Sequence, residues 1–298
     1  METRSAVANL LVSLRPDQWT KNLIVFAALI FAAKLLDTAA LALASAAFLI
    51  FCALSGAVYL INDVSDREAD RQHPLKRLRP IASGALRTGA ALAWAIGLSV
   101  LAVAAAVALQ PKFGVVAAAY LALFVSYTRW LKHIVIVDVM TIAIGFVLRA
   151  VAGGFVIGVP VSDWLLVCTI LGALFLGLAK RRHEITMLGD GATGHRRILE
   201  EYDPYLLDQM IAVVTAATLV AYVIYCASPE TAERFGTHLL VLTTPFPIYG
   251  IFRYLYLVHR KHGGGSPSDV LLTDRPLLSC VALWGLAVIV IIYRPYVS

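Results

Sequence analysis

Asn62-Asp63-Val64-Ser65-Asp66-Arg67-Glu68-Ala69-Asp70-Arg71, followed closely by Lys76-Arg77-Leu78-Arg79-Pro80-Ile81-Ala82-Ser83-Gly84, breaks out of an apolar run that extends from Thr38 to Ile61. A run of that length can cross the ~30 Å hydrocarbon core of a bilayer, which takes a helix of about 20 residues. The charges therefore begin where a membrane helix would meet water. If the helix continues past Ile61, Asp63, Asp66 and Asp70 fall at i, i+3 and i+7, and Asn62, Asp66 and Asp70 at i, i+4 and i+8, each set on one face. Hard oxygen ligands would then converge. Carboxylates held together need a cation, and beside a phosphate site the usual one is magnesium, shared between one or two carboxylates and phosphate oxygens. The basic half suits the remaining phosphate charge, with Arg77 and Arg79 able to grip bidentately and Lys76 acting as a point charge. A solvated loop of surface ion pairs is the plain alternative. It is disfavoured by the helical spacing of the acids and by their position at the end of a membrane-length run.

The rest of the chain agrees with a bilayer. Of its 298 residues 60% are hydrophobic and 15% charged, and the mean hydropathy of +0.79 is too high for an ordinary soluble domain. The net charge of +6 is read as a loop charge that orients the chain, not as a nucleic-acid surface. Further apolar runs cover 23–36, 89–109, 114–130, 134–157, 161–179, 206–227, 237–258 and 276–293, so about nine spans are expected. All are expected to be helices, since barrel strands would be short and alternating. The first fifteen residues lack the apolar core and small-residue site of a cleavable signal, and 5–14 reads as an interfacial helix. Cys52, Cys168, Cys226 and Cys280 lie inside apolar runs without metal-like spacing, as small packing residues.

Basic residues divide unevenly between the two sides. Arg4, Arg15, Lys21, the six between Arg67 and Arg87, Arg129, Lys132, the five in 180–197 that begin with Lys180, Arg181 and Arg182, and those of 253–275 fall on one side, while Lys34, Lys112, Arg234 and Arg294 fall on the other. The rich side is expected to be cytoplasmic. That puts the N-terminus and the long loops 62–88, 180–205 and 259–275 inside, and the chemistry of a multi-pass plasma-membrane protein at its cytoplasmic face.

Within this frame a few residues stand out. Arg149 lies well inside the fifth run, where a charge costs ~2.5 kcal/mol or more unless it meets a polar cavity; a pair with Asp138 on the same helix is the structural alternative. Lys21, at the mouth of the first run, is either a snorkelling anchor or a ligand-binding cation. Tyr127, Lys132 and Asp138 share a short connection at one rim. Lys180-Arg181-Arg182 open the loop after the sixth run and serve either to orient the chain or to bind an anion. His183 and His195 lack a partner at metal spacing.

Asn62-Asp63-x-x-Asp66-x-x-x-Asp70 with Arg79-Pro80-Ile81-Ala82-Ser83-Gly84 resembles the first aspartate-rich motif of the UbiA superfamily of membrane prenyltransferases. The resemblance implies an all-α fold, nine helices around a central cavity capped by the cytoplasmic loops, as one domain over 1–298. It also implies that Asn62, Asp66 and Asp70 hold Mg2+ on a diphosphate, with Asp66 and Asp70 essential to catalysis and Asp63 beside them. Ordinary members repeat an acidic cluster after the sixth span, where this chain has Lys180-Arg181-Arg182-His183-Glu184. With Arg15-Pro16-x-Gln18-Trp19-x-Lys21-Asn22 and Tyr127-x-x-x-Leu131-Lys132, this looks like the decaprenyl-phosphate phosphoribosyltransferase branch. That branch implies transfer of 5-phosphoribose from phosphoribosyl diphosphate (PRPP) to a polyprenyl phosphate, an early step toward the precursor of cell-wall arabinan. The donor's chemistry agrees: PRPP carries a remote C5 phosphate that a prenyl diphosphate lacks, and an acid-poor, base-rich second loop suits it. The competing expectation is a conventional prenyltransferase that alkylates an aromatic or haem acceptor. A transporter is disfavoured because no acidic pair lies near the midplane of any run and no inverted repeat is visible. The sequence leaves a homo-oligomer open.

Overall fold

The computed structural model describes residues 5–188, 198, 201–260, 270 and 273–297. The polar run 189–197 and the glycine-rich stretch 263–267 lie outside the described residues. Every regular element among the described residues is helical. In order they are α1 (Ala6–Ser13), α2 (Ala27–Phe31), α3 (Thr38–Ser65), α4 (Arg67–Gln72), α5 (Thr88–Leu109), α6 (Pro111–Arg129), α7 (Val137–Val156), α8 (Asp163–Leu188), α9 (Pro204–Ala227), α10 (Pro229–Phe235), α11 (Pro245–Arg260) and α12 (Arg275–Val297), with short 3-10 turns between some of them.

The chain divides into two compact units, 1–161 and 162–298. In the first, α3 starts on Asp37, whose carboxylate accepts from the amides of Ala39 (3.0 Å) and Ala40 (3.1 Å), which satisfies donors that a helix start leaves open. Pro111 opens α6 while Gln110 caps it by accepting from Phe113 N–H at 2.8 Å. Gly114 then lets α6 close on α5, since a Cβ there would stand 2.3 Å from Val107 Cγ2. Phe51, Phe113 and Tyr120 fill the core between α3 and α6, with Val25 and Ala152 packed into the same cluster. In the second unit, α9 is capped by Asp203 and opened by Pro204. Tyr222 joins Thr243 Oγ1 at 2.6 Å and accepts from Trp284 Nε1 at 2.7 Å, tying α9 and α12 to the turn before α11.

Against nine expected spans, seven single helices among the described residues are long and apolar enough to cross a membrane. A bent pair, Pro229–Phe235 with Leu239–Arg260, makes up to eight. The expected first span takes a different form: an 11-residue 3-10 helix, Pro16–Phe26, followed by the five residues of α2. Its local causes are visible. Arg15 sits in the left-handed region at φ 53°, so Pro16 starts a new helix rather than extending α1. Asn22, in the middle of the tight helix, is fully buried and bonded to neighbouring helices. Gly153 of α7 admits the backbone of Val25 so closely that a Cβ would fall 2.0 Å from its carbonyl oxygen.

Candidate active site

The acidic stretch closes α3. Helical hydrogen bonding runs through it, Asp66 N–H to Asn62 O at 2.9 Å and Asp70 N–H to Asp66 O at 2.8 Å, but the backbone breaks at Asp66 (φ −93°, ψ 6°) before α4 begins. The single acidic face expected from the spacing therefore becomes two adjoining pairs. Asn62 Nδ2 donates to Asp66 Oδ2 at 3.0 Å, and Lys132 Nζ sits on the other oxygen, Oδ1, at 2.5 Å. Asp63 and Asp70 turn to arginines instead. Arg79 Nη1 reaches Asp63 Oδ1 at 3.2 Å and Asp70 Oδ2 at 2.7 Å, and Arg15 Nη2 meets Asp63 Oδ1 at 2.5 Å while its guanidinium lies 4.6 Å over the Tyr59 ring. Asp63 and Asp70 are 2% and 3% exposed, so both carboxylates depend on these partners.

Arg79 is held at this place by the stretch that follows it. Ile81 and Ala82 are buried, Leu86 N–H bonds Pro80 O at 2.8 Å, and Gly84 takes φ 84°, so Arg79-Pro80-Ile81-Ala82-Ser83-Gly84 folds as a fixed turn. Arg71 Nε donates to Ala82 O at 3.1 Å and ties α4 to it. Lys76 and Arg77 lie on the short 3-10 turn Lys76–Leu78, Arg77 exposed and Lys76 half-buried.

A second polar group is buried deeper in the same unit. Arg149 of α7, 5% exposed, donates from Nε to Asn22 Oδ1 and from Nη2 to Tyr120 Oη, both at 2.7 Å, with its guanidinium 4.8 Å over the Tyr120 ring. Asn22 Nδ2 in turn donates to Ser55 Oγ at 3.3 Å. The alternative pairing of Arg149 with Asp138 is not what the structure shows. Lys21, next to Asn22, and Tyr127, whose ring lies 6.1 Å from Phe124, are half-buried.

Lys180, Arg181 and Arg182 belong to the second unit, and each faces a carboxylate there. Glu184 takes Arg181 at 2.6 Å and Lys180 at 3.9 Å. Asp208 takes Arg182 through two bonds, at 2.5 and 3.2 Å, with His259 Nε2 3.3 Å from the same carboxylate. Arg182 thus ties α8 to α9. Sequence reasoning left Arg15, Asn22 and Tyr120 out of the site; the signal for Asn22 was one polar residue at the mouth of the first apolar run.

The family model described as the UbiA prenyltransferase family matches residues 22–268. The chain belongs to the UbiA prenyltransferase family. Among its relatives, the decaprenyl-phosphate phosphoribosyltransferase of Corynebacterium glutamicum is 34% identical over 94% of this chain and 86% of that protein. The protein of the same name from Mycobacterium tuberculosis is 34% identical over 93% of this chain and 92% of its own length. A UbiA homolog from Archaeoglobus fulgidus, solved with DMAPP and Mg2+, shares the fold with a TM-score of 0.74 at 20% identity, over 95% of this chain and 99% of that one. The UbiA fold has thus been solved with a divalent metal bound.

The residues of this chain fit such an ion. Asn62 and the partly open Asp66 stand one turn apart as one pair, and Asp70, beyond the break at Asp66, is held by Arg79 beside them. Among the described residues no three His, Cys, Asp or Glu side chains gather into a cage.

Proposed function

We propose that this UbiA member transfers 5-phosphoribose from PRPP to a polyprenyl phosphate, giving polyprenyl-phosphoryl-5-phosphoribose and diphosphate. The observation that carries the reading is the similarity, over nearly the whole length, to decaprenyl-phosphate phosphoribosyltransferases. The site's chemistry supports it. A phosphate monoester is already anionic at neutral pH, so the acceptor needs no strong base. Its oxygen attacks C1 of the ribose, the bond from C1 to the diphosphate oxygen breaks, and no electrons enter or leave.

Asn62, Asp66 and Asp70 would hold Mg2+ against the diphosphate. When bound, the ion neutralises charge on the leaving group as it develops. Lys132, already on Asp66, and Arg79, on Asp70, are the nearest protein cations to the same anion. Asp63 keeps Arg15 and Arg79 facing this rim. We take residues 1–298 as one catalytic domain, because the family match runs across the boundary between the two units. The uneven loop charge supports a rim at the cytoplasmic face of the plasma membrane.

The test is direct: purified protein with Mg2+, PRPP labelled in the ribose and decaprenyl phosphate should move label into the organic phase and release diphosphate in equal amount. No transfer from PRPP, with alkylation of an aromatic acceptor by a prenyl diphosphate instead, would overturn it.

A further inference from the structure

We infer that Asn22, Tyr120 and Arg149 form a buried site for a phosphate monoester, separate from the acidic face; the inference rests on the phosphoribosyl-transfer reading. Arg149 is buried, and among the described residues no carboxylate pairs with it. A guanidinium offers five N–H donors, and only Nε and Nη2 are engaged, both by neutral oxygens. Nη1 makes no hydrogen bond among the described residues. It lies beside Gly145, 3.7 Å from where an added Cβ would stand, and the Phe124 ring packs against the same glycine, 2.5 Å from that point. Tyr120 Oη accepts from Arg149, which leaves the hydroxyl's own proton for a further acceptor. Ser55 fixes the Asn22 amide from behind, so that its oxygen and not its NH2 meets the arginine.

The identity of residue 22 distinguishes structural from binding roles. An arginine buried only for stability is best neutralised by a carboxylate, and Asp has the shape of Asn. The amide orients Arg149 while leaving its positive charge in place. Ser55 stands seven residues before Asn62 on α3, roughly 10 Å at 1.5 Å per residue. An anion here is thus set apart from a diphosphate on the acidic face by about one sugar phosphate. Both substrates carry a phosphate monoester: the C5 phosphate of PRPP and the head of the polyprenyl phosphate.

The experiment measures binding of PRPP with Mg2+ and, separately, of a polyprenyl monophosphate, to the full chain in nanodiscs, for wild type, Asn22→Asp and Tyr120→Phe, with thermal unfolding of each. Asn22→Asp should weaken one ligand by about ten- to a hundredfold and Tyr120→Phe by about two- to tenfold, while the unfolding temperature of Asn22→Asp holds or rises. Loss confined to PRPP assigns the site to the C5 phosphate, and loss confined to the lipid assigns it to the acceptor. Unchanged affinity for both ligands in both variants overturns the site and leaves the functional reading standing, as does Asn22→Asp binding both normally with a raised unfolding temperature. If Asn22→Asp does not fold, Tyr120→Phe alone decides. A wild type that binds neither ligand sinks the functional reading together with the site.

Discussion

Asp63 and Asp66 are three residues apart and do opposite work. Asp63 is enclosed and gives one oxygen to both Arg15 and Arg79, while Asp66 is partly open and holds Lys132 and Asn62. Asp66→Ala, and likewise Asp70→Ala, should cut turnover about a hundredfold or more through loss of an oxygen ligand on the leaving group, in protein that still folds. Asp63→Asn should instead lower stability by about 1–3 kcal/mol, because two guanidinium groups lose a charged acceptor. Its residual turnover should remain well above that of Asp66→Ala. Turnover and thermal unfolding measured on all three separate the roles; equal loss of activity with equal stability would refute the division. The spacing of the acids was legible from sequence because it is local, and Arg149 was legible because a lone charge in an apolar run is costly. Their partners were not. Arg15 meets Asp63 across 48 residues and Arg149 meets Asn22 across 127, and such pairings are set by helix packing that no short pattern encodes.

At the scale of elements, the 3-10 helix Pro16–Phe26 is the piece that apolar counting could not foresee, since hydropathy does not distinguish a tight helix from an α-helix. Its seat is Gly153, one turn beyond Arg149 on α7. Gly153→Ala must push Val25 away by its backbone, and the shift carries Asn22 off Arg149. We expect about 1–3 kcal/mol of lost stability, in the range of overpacked cores, and a fall in activity although position 153 touches no substrate. Unfolding temperature and activity both equal to wild type would mean that the two helices do not meet at this glycine. In the second unit, Arg253 holds Asp274 through two bonds, at 3.1 and 2.8 Å, while Asp274 caps α12 by accepting from Leu277 N–H. The Arg253 hydrogen bond keeps the Asp274 carboxyl below its ordinary range. A depressed value in the folded state means that its stabilisation is complete above the unfolded value, about 3.9, and is lost as pH falls through the folded one. Asp274→Asn keeps the cap and removes the charge. Its deficit in unfolding temperature should therefore be full at neutral pH and close below about pH 4; a deficit constant with pH would show that the ion pair contributes nothing.

For the whole molecule the open quantity is the number of crossings, and it depends on the same N-terminal stretch. Among the described residues seven helices and one bent pair give up to eight, and with eight the two termini share a side. Among the described residues the ninth can come only from Pro16–Phe31. Sixteen residues of α-helix would span ~24 Å, short of the hydrocarbon core, but a 3-10 helix rises ~2.0 Å per residue, so eleven such residues followed by five α-helical ones reach roughly 30 Å. The tight helix thus has the length that an α-helix of the same sequence would lack. Beyond it, Lys34 pairs with Asp37 at 3.7 Å at the start of α3, where the uneven charge distribution expects the outer surface. We therefore expect nine crossings, with the N-terminus inside and the C-terminus outside. Alkaline phosphatase fused after Ser298 should be active and a fluorescent protein there dark. A cysteine placed at Lys112 should react with an impermeant maleimide added to whole cells, whereas one placed at Arg77 should react only after the cells are opened. A cysteine placed at Ser5 that reacts with the impermeant maleimide in whole cells, with labelling at Lys112 unchanged, would put the N-terminus outside, leave eight crossings and lay Pro16–Phe31 on the membrane surface, against the burial of Asn22 and Val25 that the fold depends on.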